Sequence, residues 1–162
     1  NHTLIYYTYK LAASRGISLP KLLIIGRVGH DTSQIIKFIK EDPEVNHLIK
    51  ICDYVVDDEL NWLYKNCKFT IFSSFYEGNG ITVIESIARG KPAVCSSNSS
   101  LNEISDRFVI RFNPASTDEC LTAITEMLKP TTLKKYTKNT QEYSPLSWDG
   151  SFQQVLNILK GK

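Results

Sequence analysis

Five short apolar runs recur along the chain: Lys21–Gly26 (KLLIIG), Leu48–Tyr54 (LIKICDY), Lys68–Phe72 (KFTIF), Pro92–Ser96 (PAVCS) and Arg107–Phe112 (RFVIRF). Most are near-continuous rather than alternating. A strand reads this way when both of its faces are covered, which is the situation inside a parallel sheet flanked by helices. Helical patterns fill the intervals between the runs. Strand–helix alternation of this kind predicts an α/β fold, a doubly wound parallel sheet with helices on both faces.

The helix starts carry their own signals. Asp31-Thr32-Ser33-Gln34 and Ser116-Thr117-Asp118-Glu119 have the spacing of a capping box. Asp57 before Asp58-Glu59-Leu60 puts acid at the positive end of a helix. Gly90-Lys91-Pro92 closes one helix and opens a strand. Beyond Phe112 the pattern becomes purely helical, over 116–129, 131–141 and 147–160, with 139–147 as the expected irregular stretch. The first fifteen residues also read as a helix, with Leu4, Tyr7 and Leu11 at helical spacing. A doubly wound sheet normally opens with a strand, so the expectation is a single domain cut from a longer chain.

Charge and cysteines narrow the class. Nineteen Lys and Arg stand against seventeen Asp and Glu with no dense basic run, which speaks against nucleic acid as a partner. Apolar runs are too short for a membrane span, and no signal peptide is visible. Cys52, Cys67, Cys95 and Cys120 are widely spaced and form no C-x-x-C pair. They read as reduced, mostly buried thiols of a cytoplasmic protein rather than as a zinc site or disulfides.

In open α/β sheets ligands bind beyond the carboxyl ends of the strands. That rule selects four loops: 26–31, 54–57, 73–81 and 96–101. The third is the richest, Ser73-Ser74-Phe75-Tyr76-Glu77-Gly78-Asn79-Gly80-Ile81, entering a helix. Two glycines at a helix start let main-chain N–H groups close on an anion, and the helix dipole favours phosphate there. A tight turn with no ligand would use the same glycines. Neither a P-loop nor a full G-x-G-x-x-G is present. Glu77 and Glu85 frame the loop. A wholly helical spacing of eight residues would separate their Cα atoms by about 12 Å, beyond the roughly 5–9.5 Å of a hydrolase pair. Two clamps on one extended ligand fit better. Ile81, Ile84, Ile87 and Ala88 form the expected apolar arc, with Glu85 at its edge and an Arg89 ion pair as its plain structural role. His30, after Gly29, is a candidate ligand contact, whereas His2 and His47 have no partner at metal spacing and read as surface or satisfied residues. Ser96–Ser100 offers small hydrogen-bonding groups at the cleft mouth, or a polar cap for a short helix.

Glu77-Gly78-Asn79-Gly80-Ile81-Thr82-Val83-Ile84-Glu85, with Ser74 before it and Ser86–Val94 after it, closely resembles the S-x-x-E-G-x-G-x-x-x-x-E-A-x-A-x-G-x-P-V-V signature of glycosyltransferase family 4. Further segments are similar: Leu22–Gly29 to that family's second strand and glycine turn, Val55–Leu60 with Leu63-Tyr64 to its v-x-d-x-e-L-x-x-l-y stretch, Ser99–Ile104 to g-l-x-E-i, and Ser147-Trp148-Asp149 to its final helix. Nearly the whole chain is covered.

The resemblance implies the Rossmann-like C-terminal half of a GT-B glycosyltransferase. That half would bind a nucleotide-diphosphate sugar and help transfer the sugar, with retention, to a hydroxyl of a carbohydrate or lipid-linked acceptor. The setting would be polysaccharide or glycolipid synthesis, in the cytoplasm or at the inner membrane face. Glu77 would contact donor-sugar hydroxyls as the catalytic residue. Main-chain amides of Gly78, Asn79, Gly80 and Ile81 would hold the distal phosphate, and Glu85 would accept from the ribose. Val56 and Asp58 would lie near the base, and Gly26, Arg27 and Gly29 would border the donor cleft. No metal or organic cofactor is implied.

Three departures stand out. The family's Arg and Lys after its first strand, and that strand itself, would lie upstream of Asn1, leaving a central sheet position empty and the isolated piece with little activity. Asn79 stands where Phe is frequent, and Ser99-Ser100 where glycines are common. Two other readings stay open: a sugar-nucleotide epimerase or phosphorylase on the same fold, and a degenerate module that only binds a partner.

Overall fold

The computed structural model describes residues 1–27, 29, 32–145 and 147–161. Its elements run α1 (His2–Ser14), β1 (Leu22–Ile25), α2 (Ser33–Glu41), β2 (Ile49–Cys52), α3 (Asp57–Asn66), β3 (Thr70–Phe72), α4 (Ile81–Ala88), β4 (Ala93–Ser96), a 3-10 turn (Ser99–Glu103), β5 (Val109–Phe112), α5 (Thr117–Leu128), α6 (Pro130–Gln141) and α7 (Trp148–Leu159). Each expected strand is present, trimmed by one to three residues where the chain turns into a loop.

Every ladder is parallel. Leu22 is in register with Ile49, Thr70 with Ala93, and Ala93 with Val109. Among the described residues the sheet comes as two pieces, β1–β2 and β3–β4–β5. Helix α1 ties them together. It packs on α5 and α2, and Ser73 Oγ, at the end of β3, donates to the Asn1 carbonyl at 3.0 Å.

Strand β4 shows why the runs are apolar throughout: all four of its residues are buried. Val94 joins a core with Tyr9, Phe112, Ile124 and Met127 on the α1 and α5 side. Ala93 and Cys95 join Val83, Ile87, Leu101 and Val109 on the α4 side. Alternate side chains of this strand therefore feed two cores, as the pleat requires, and around β4 the expected cover on both faces is present, whereas on β1 Leu23 and Ile25 remain exposed.

Local expectations were met unevenly. Asp57, Asp58 and Glu59 do fill the first turn of α3, and Glu59 Oε2 accepts from the Val56 amide at 3.0 Å. At Ser116 only half of the capping box forms. Ser116 Oγ accepts from the Glu119 amide, but the Glu119 carboxylate accepts from Asn113 N–H instead. Asp31, the other expected cap, lies outside the described residues, and Thr32 makes no side-chain cap bond to α2. Helix α6 ends at Gln141, as the expected range 131–141 has it, so the irregular stretch is confined to the residues after it. On α4 the buried face is Val83, Ser86 and Ile87, whereas Ile81 and Ala88 are exposed. The apolar count missed Ser86, whose hydroxyl is satisfied by Thr70 Oγ1 at 2.7 Å and by the Lys91 carbonyl at 3.0 Å. Helix α7 keeps Trp148, Phe152, Val155 and Leu159 exposed along one stripe. No helix among the described residues is long and apolar enough to cross a membrane.

Candidate functional site

Parallel strands put all the strand-to-helix loops at one end, and the candidate residues gather there. The loop after β3 climbs through Ser74–Gly80 into α4. Gly80 is left-handed, with φ +62, and caps the helix. A Cβ there would meet Leu101 Cδ2 at 2.8 Å, so glycine is required by conformation and by packing together. At Gly78 an added Cβ would meet nothing within 4 Å, and Gly78, Asn79 and Ile81 are exposed. The mouth of the turn is open.

Among the described residues the amides of Gly78, Asn79, Gly80 and Ile81 donate to no acceptor in the protein. The first amides of a helix have no partner inside it, and here they meet the positive end of the α4 dipole. Such a turn can take an oxyanion with no counter-charge from a side chain.

Glu77 is half-buried and tightly held. Ser74 Oγ donates to its Oε1 at 2.5 Å. Its amide donates to Ser99 Oγ at 2.9 Å, and its carbonyl accepts from Ser100 Oγ at 2.9 Å. Among the described residues nothing donates to Oε2, which leaves that oxygen to accept from a ligand hydroxyl. Ser96 Oγ donates to the Ser74 carbonyl at 2.6 Å, and Asn98 Nδ2 to that of Phe75. The serine-rich loop after β4 thus fastens the loop after β3. Composition marked it as polar; which groups its hydroxyls would reach depends on two loops 22 residues apart meeting in space.

Glu85 stands one turn into α4. Its carboxylate is 3.8 Å from Arg89 Nη1 and partly exposed. Arg89 in turn lies over the Tyr64 ring, 4.7 Å from its centroid, and donates to Asn61 Oδ1. Helix α4 begins at Ile81, where the helix entered from the glycine loop was expected, so the separation of about 12 Å for a wholly helical Glu77–Glu85 segment does not apply.

The remaining candidates sit at the carboxyl ends of the other two strands. Gly26, with φ +147, donates to the Cys52 carbonyl at 3.1 Å. Gly26 and Arg27 line a small cavity of about 30 Å3 with His2, Thr32 and Ile24. Gly29 is open, and its carbonyl accepts from Thr32 Oγ1 at 2.7 Å. Val56 is the exposed residue capping α3, and Asp58 lies in its first turn. His30 lies outside the described residues. His2 is exposed, in keeping with its reading as a surface or satisfied residue, and it also borders the Gly26–Arg27 cavity, where partial burial lowers its pKa from the ordinary histidine value. A larger groove of about 700 Å3 runs along α1 past Tyr7, Phe75 and Pro114, and does not include the glycine turn. Among the described residues no cluster of three or more His, Cys, Asp or Glu could hold a metal ion.

Residues 9–143 match the family model "Glycosyl transferases group 1". The chain is 27% identical over 114 residues to O-antigen chain mannosyltransferase B of Escherichia coli, covering 69% of this chain and 30% of that protein. It is 30% identical over 121 residues to the uncharacterized glycosyltransferase MJ1607 of Methanocaldococcus jannaschii, covering 72% and 31%. The chain therefore spans under a third of the length of these relatives. Among solved structures, Anabaena Alr3699/HepE, in complex with UDP and glucose, superposes with a TM-score of 0.69 at 16% identity, covering 97% of this chain and 44% of that one. At that identity the likeness establishes the Rossmann-like fold and nothing finer.

Proposed function

The chain belongs to the glycosyl transferases group 1 family, and from that premise we propose that it is the donor-binding, C-terminal domain of a retaining glycosyltransferase of family 4. The observation that carries this reading is the turn Glu77–Ile81. Gly78, Asn79 and Ile81 are open to solvent, the amides of Gly78 to Ile81 donate to no acceptor among the described residues, and Glu77 is rigidly tied to the loop behind it.

The donor is a nucleotide-diphosphate sugar. Its distal phosphate lies against the amides of Gly78, Asn79, Gly80 and Ile81. When the glycosidic bond to phosphate breaks, negative charge grows on the departing diphosphate. Dipoles already fixed in place stabilise that charge without reorganising. Oε2 of Glu77 accepts from hydroxyls of the sugar and holds the anomeric carbon in place for the acceptor. Glu85 turns from Arg89 to accept from the ribose, while Val56 and Asp58 border the base, and Gly26, Arg27 and Gly29 close the cleft. The acceptor is a carbohydrate or lipid-linked hydroxyl, in polysaccharide or glycolipid synthesis on the cytoplasmic side. No metal or cofactor enters this scheme.

Titration calorimetry of the full natural polypeptide with UDP-glucose, GDP-mannose, ADP-glucose and the three free diphosphates tests the reading. Saturable binding of one nucleotide series, lost in the Gly80→Ala variant, supports it. No binding in any series overturns it.

A further inference from the structure

We propose that Ser99 and Ser100 are positioning residues for Glu77, and that they tune recognition of the sugar rather than of the diphosphate. The proposal rests on the donor-binding reading above.

Both polar groups of the Glu77 main chain end on this serine pair. Its N–H donates to Ser99 Oγ and its C=O accepts from Ser100 Oγ, each at 2.9 Å. With Ser74 on Oε1, the residue is fixed at amide, carbonyl and carboxylate. Its carboxylate therefore has one direction in which to present Oε2. The serine pair is itself anchored from behind. Arg111, on β5, donates from Nη2 to the Leu101 carbonyl at 3.0 Å and also reaches the Ile104 carbonyl. Leu101 is fully buried against Gly80.

Ser99 is also strained. At φ +45 it is the one non-glycine residue with a positive φ among those described. An L side chain seldom adopts this backbone, and glycine would hold it more comfortably. A glycine, however, brings no hydroxyl to the Glu77 amide. Strain of this kind persists where the surrounding structure demands it, and here what it secures is the orientation of Glu77. A residue that only stabilised the fold would gain from glycine at this position.

The test compares wild type, Ser99→Gly, Ser100→Ala and Ser100→Thr in the full natural polypeptide. Calorimetry uses the nucleotide sugar found to bind among UDP-glucose, GDP-mannose and ADP-glucose, and its matching diphosphate. Loss of a hydrogen bond to Glu77 should weaken nucleotide-sugar binding by about tenfold in Ser99→Gly and in Ser100→Ala. Diphosphate binding should stay within about twofold, the thermal midpoint of Ser99→Gly should not fall, and Ser100→Thr should restore sugar affinity by keeping the hydroxyl. Equal loss of sugar-nucleotide and diphosphate affinity, or no loss of either, overturns the proposal while leaving the donor site intact. A wild type that binds neither overturns the donor site and the proposal with it.

Discussion

Leu101 Cδ2 stands 2.8 Å from the point that a Cβ on Gly80 would occupy, so the phosphate turn and the 3-10 turn after β4 are packed as one unit. Gly80→Ala would meet both that contact and a φ of +62. The substitution should destabilise the protein by roughly 1–3 kcal/mol, from the left-handed backbone and the displaced leucine. It should also weaken diphosphate binding. Urea unfolding and calorimetry on the same sample measure both effects.

Glu77→Gln removes the charge and keeps the shape. If Oε2 accepts from sugar hydroxyls, nucleotide-sugar affinity should drop by about 10- to 100-fold, the worth of a hydrogen bond to a charged group. Diphosphate affinity should not change. Parallel titrations with the two ligands separate these outcomes.

Glu85→Gln asks whether its Arg89 pair or a ligand is the business of this side chain. The pair is long, at 3.8 Å, and partly exposed. An exposed pair of this type contributes under about 1 kcal/mol, so the unfolding midpoint should barely move. Diphosphate affinity should nonetheless fall if the ribose hydroxyls donate to Glu85. Unchanged affinity would assign Glu85 to α4 alone.

Arg111 fastens the 3-10 turn through the Leu101 and Ile104 carbonyls and meets Asp106, whose side chain is 85% exposed. Arg111→Ala should therefore destabilise the protein by about 1–3 kcal/mol by leaving two carbonyls without their donor. Asp106→Asn should cost less than about 1 kcal/mol, as for an exposed partner. Chemical denaturation of both variants checks the contrast.

Burial raises the thiols of Cys95 and Cys120 from 9 to about 11. In the native state both should resist alkylation at pH 8, because the thiolate is the nucleophile. The unfolded chain releases these protons near pH 9, while the folded chain keeps them until about pH 11. Their stabilisation is complete below pH 9 and is lost as pH rises through that window. Thermal melts from pH 8 to 11 should show a falling midpoint, less steep in a Cys120→Ala variant.

The layer order was legible because it rests on patterns that burial writes directly into a chain. The run at Ala93–Ser96 is apolar on both faces because two cores meet across the sheet, whereas at Leu22–Ile25 only Leu22 and Ile24 pack on a core and Leu23 and Ile25 stay exposed. The glycine turn was legible because left-handed backbone at Gly80 leaves few alternatives. What escaped depends on contacts between distant segments. Ser86 looked polar and is buried, since Thr70 and Lys91 satisfy its hydroxyl. Glu119 chose the Asn113 amide over its own cap. The grip of Ser99 and Ser100 on Glu77 has no signature in either loop alone.

The central claim is that the turn from Glu77 to Ile81 holds a diphosphate by its main chain. A crystal structure of the full natural polypeptide with the nucleoside diphosphate that binds it tests this most directly. The account predicts distal phosphate oxygens about 2.7–3.2 Å from amide nitrogens of Gly78, Asn79, Gly80 or Ile81, with Glu85 on the ribose. A diphosphate seated elsewhere, with those amides facing only water, would contradict it.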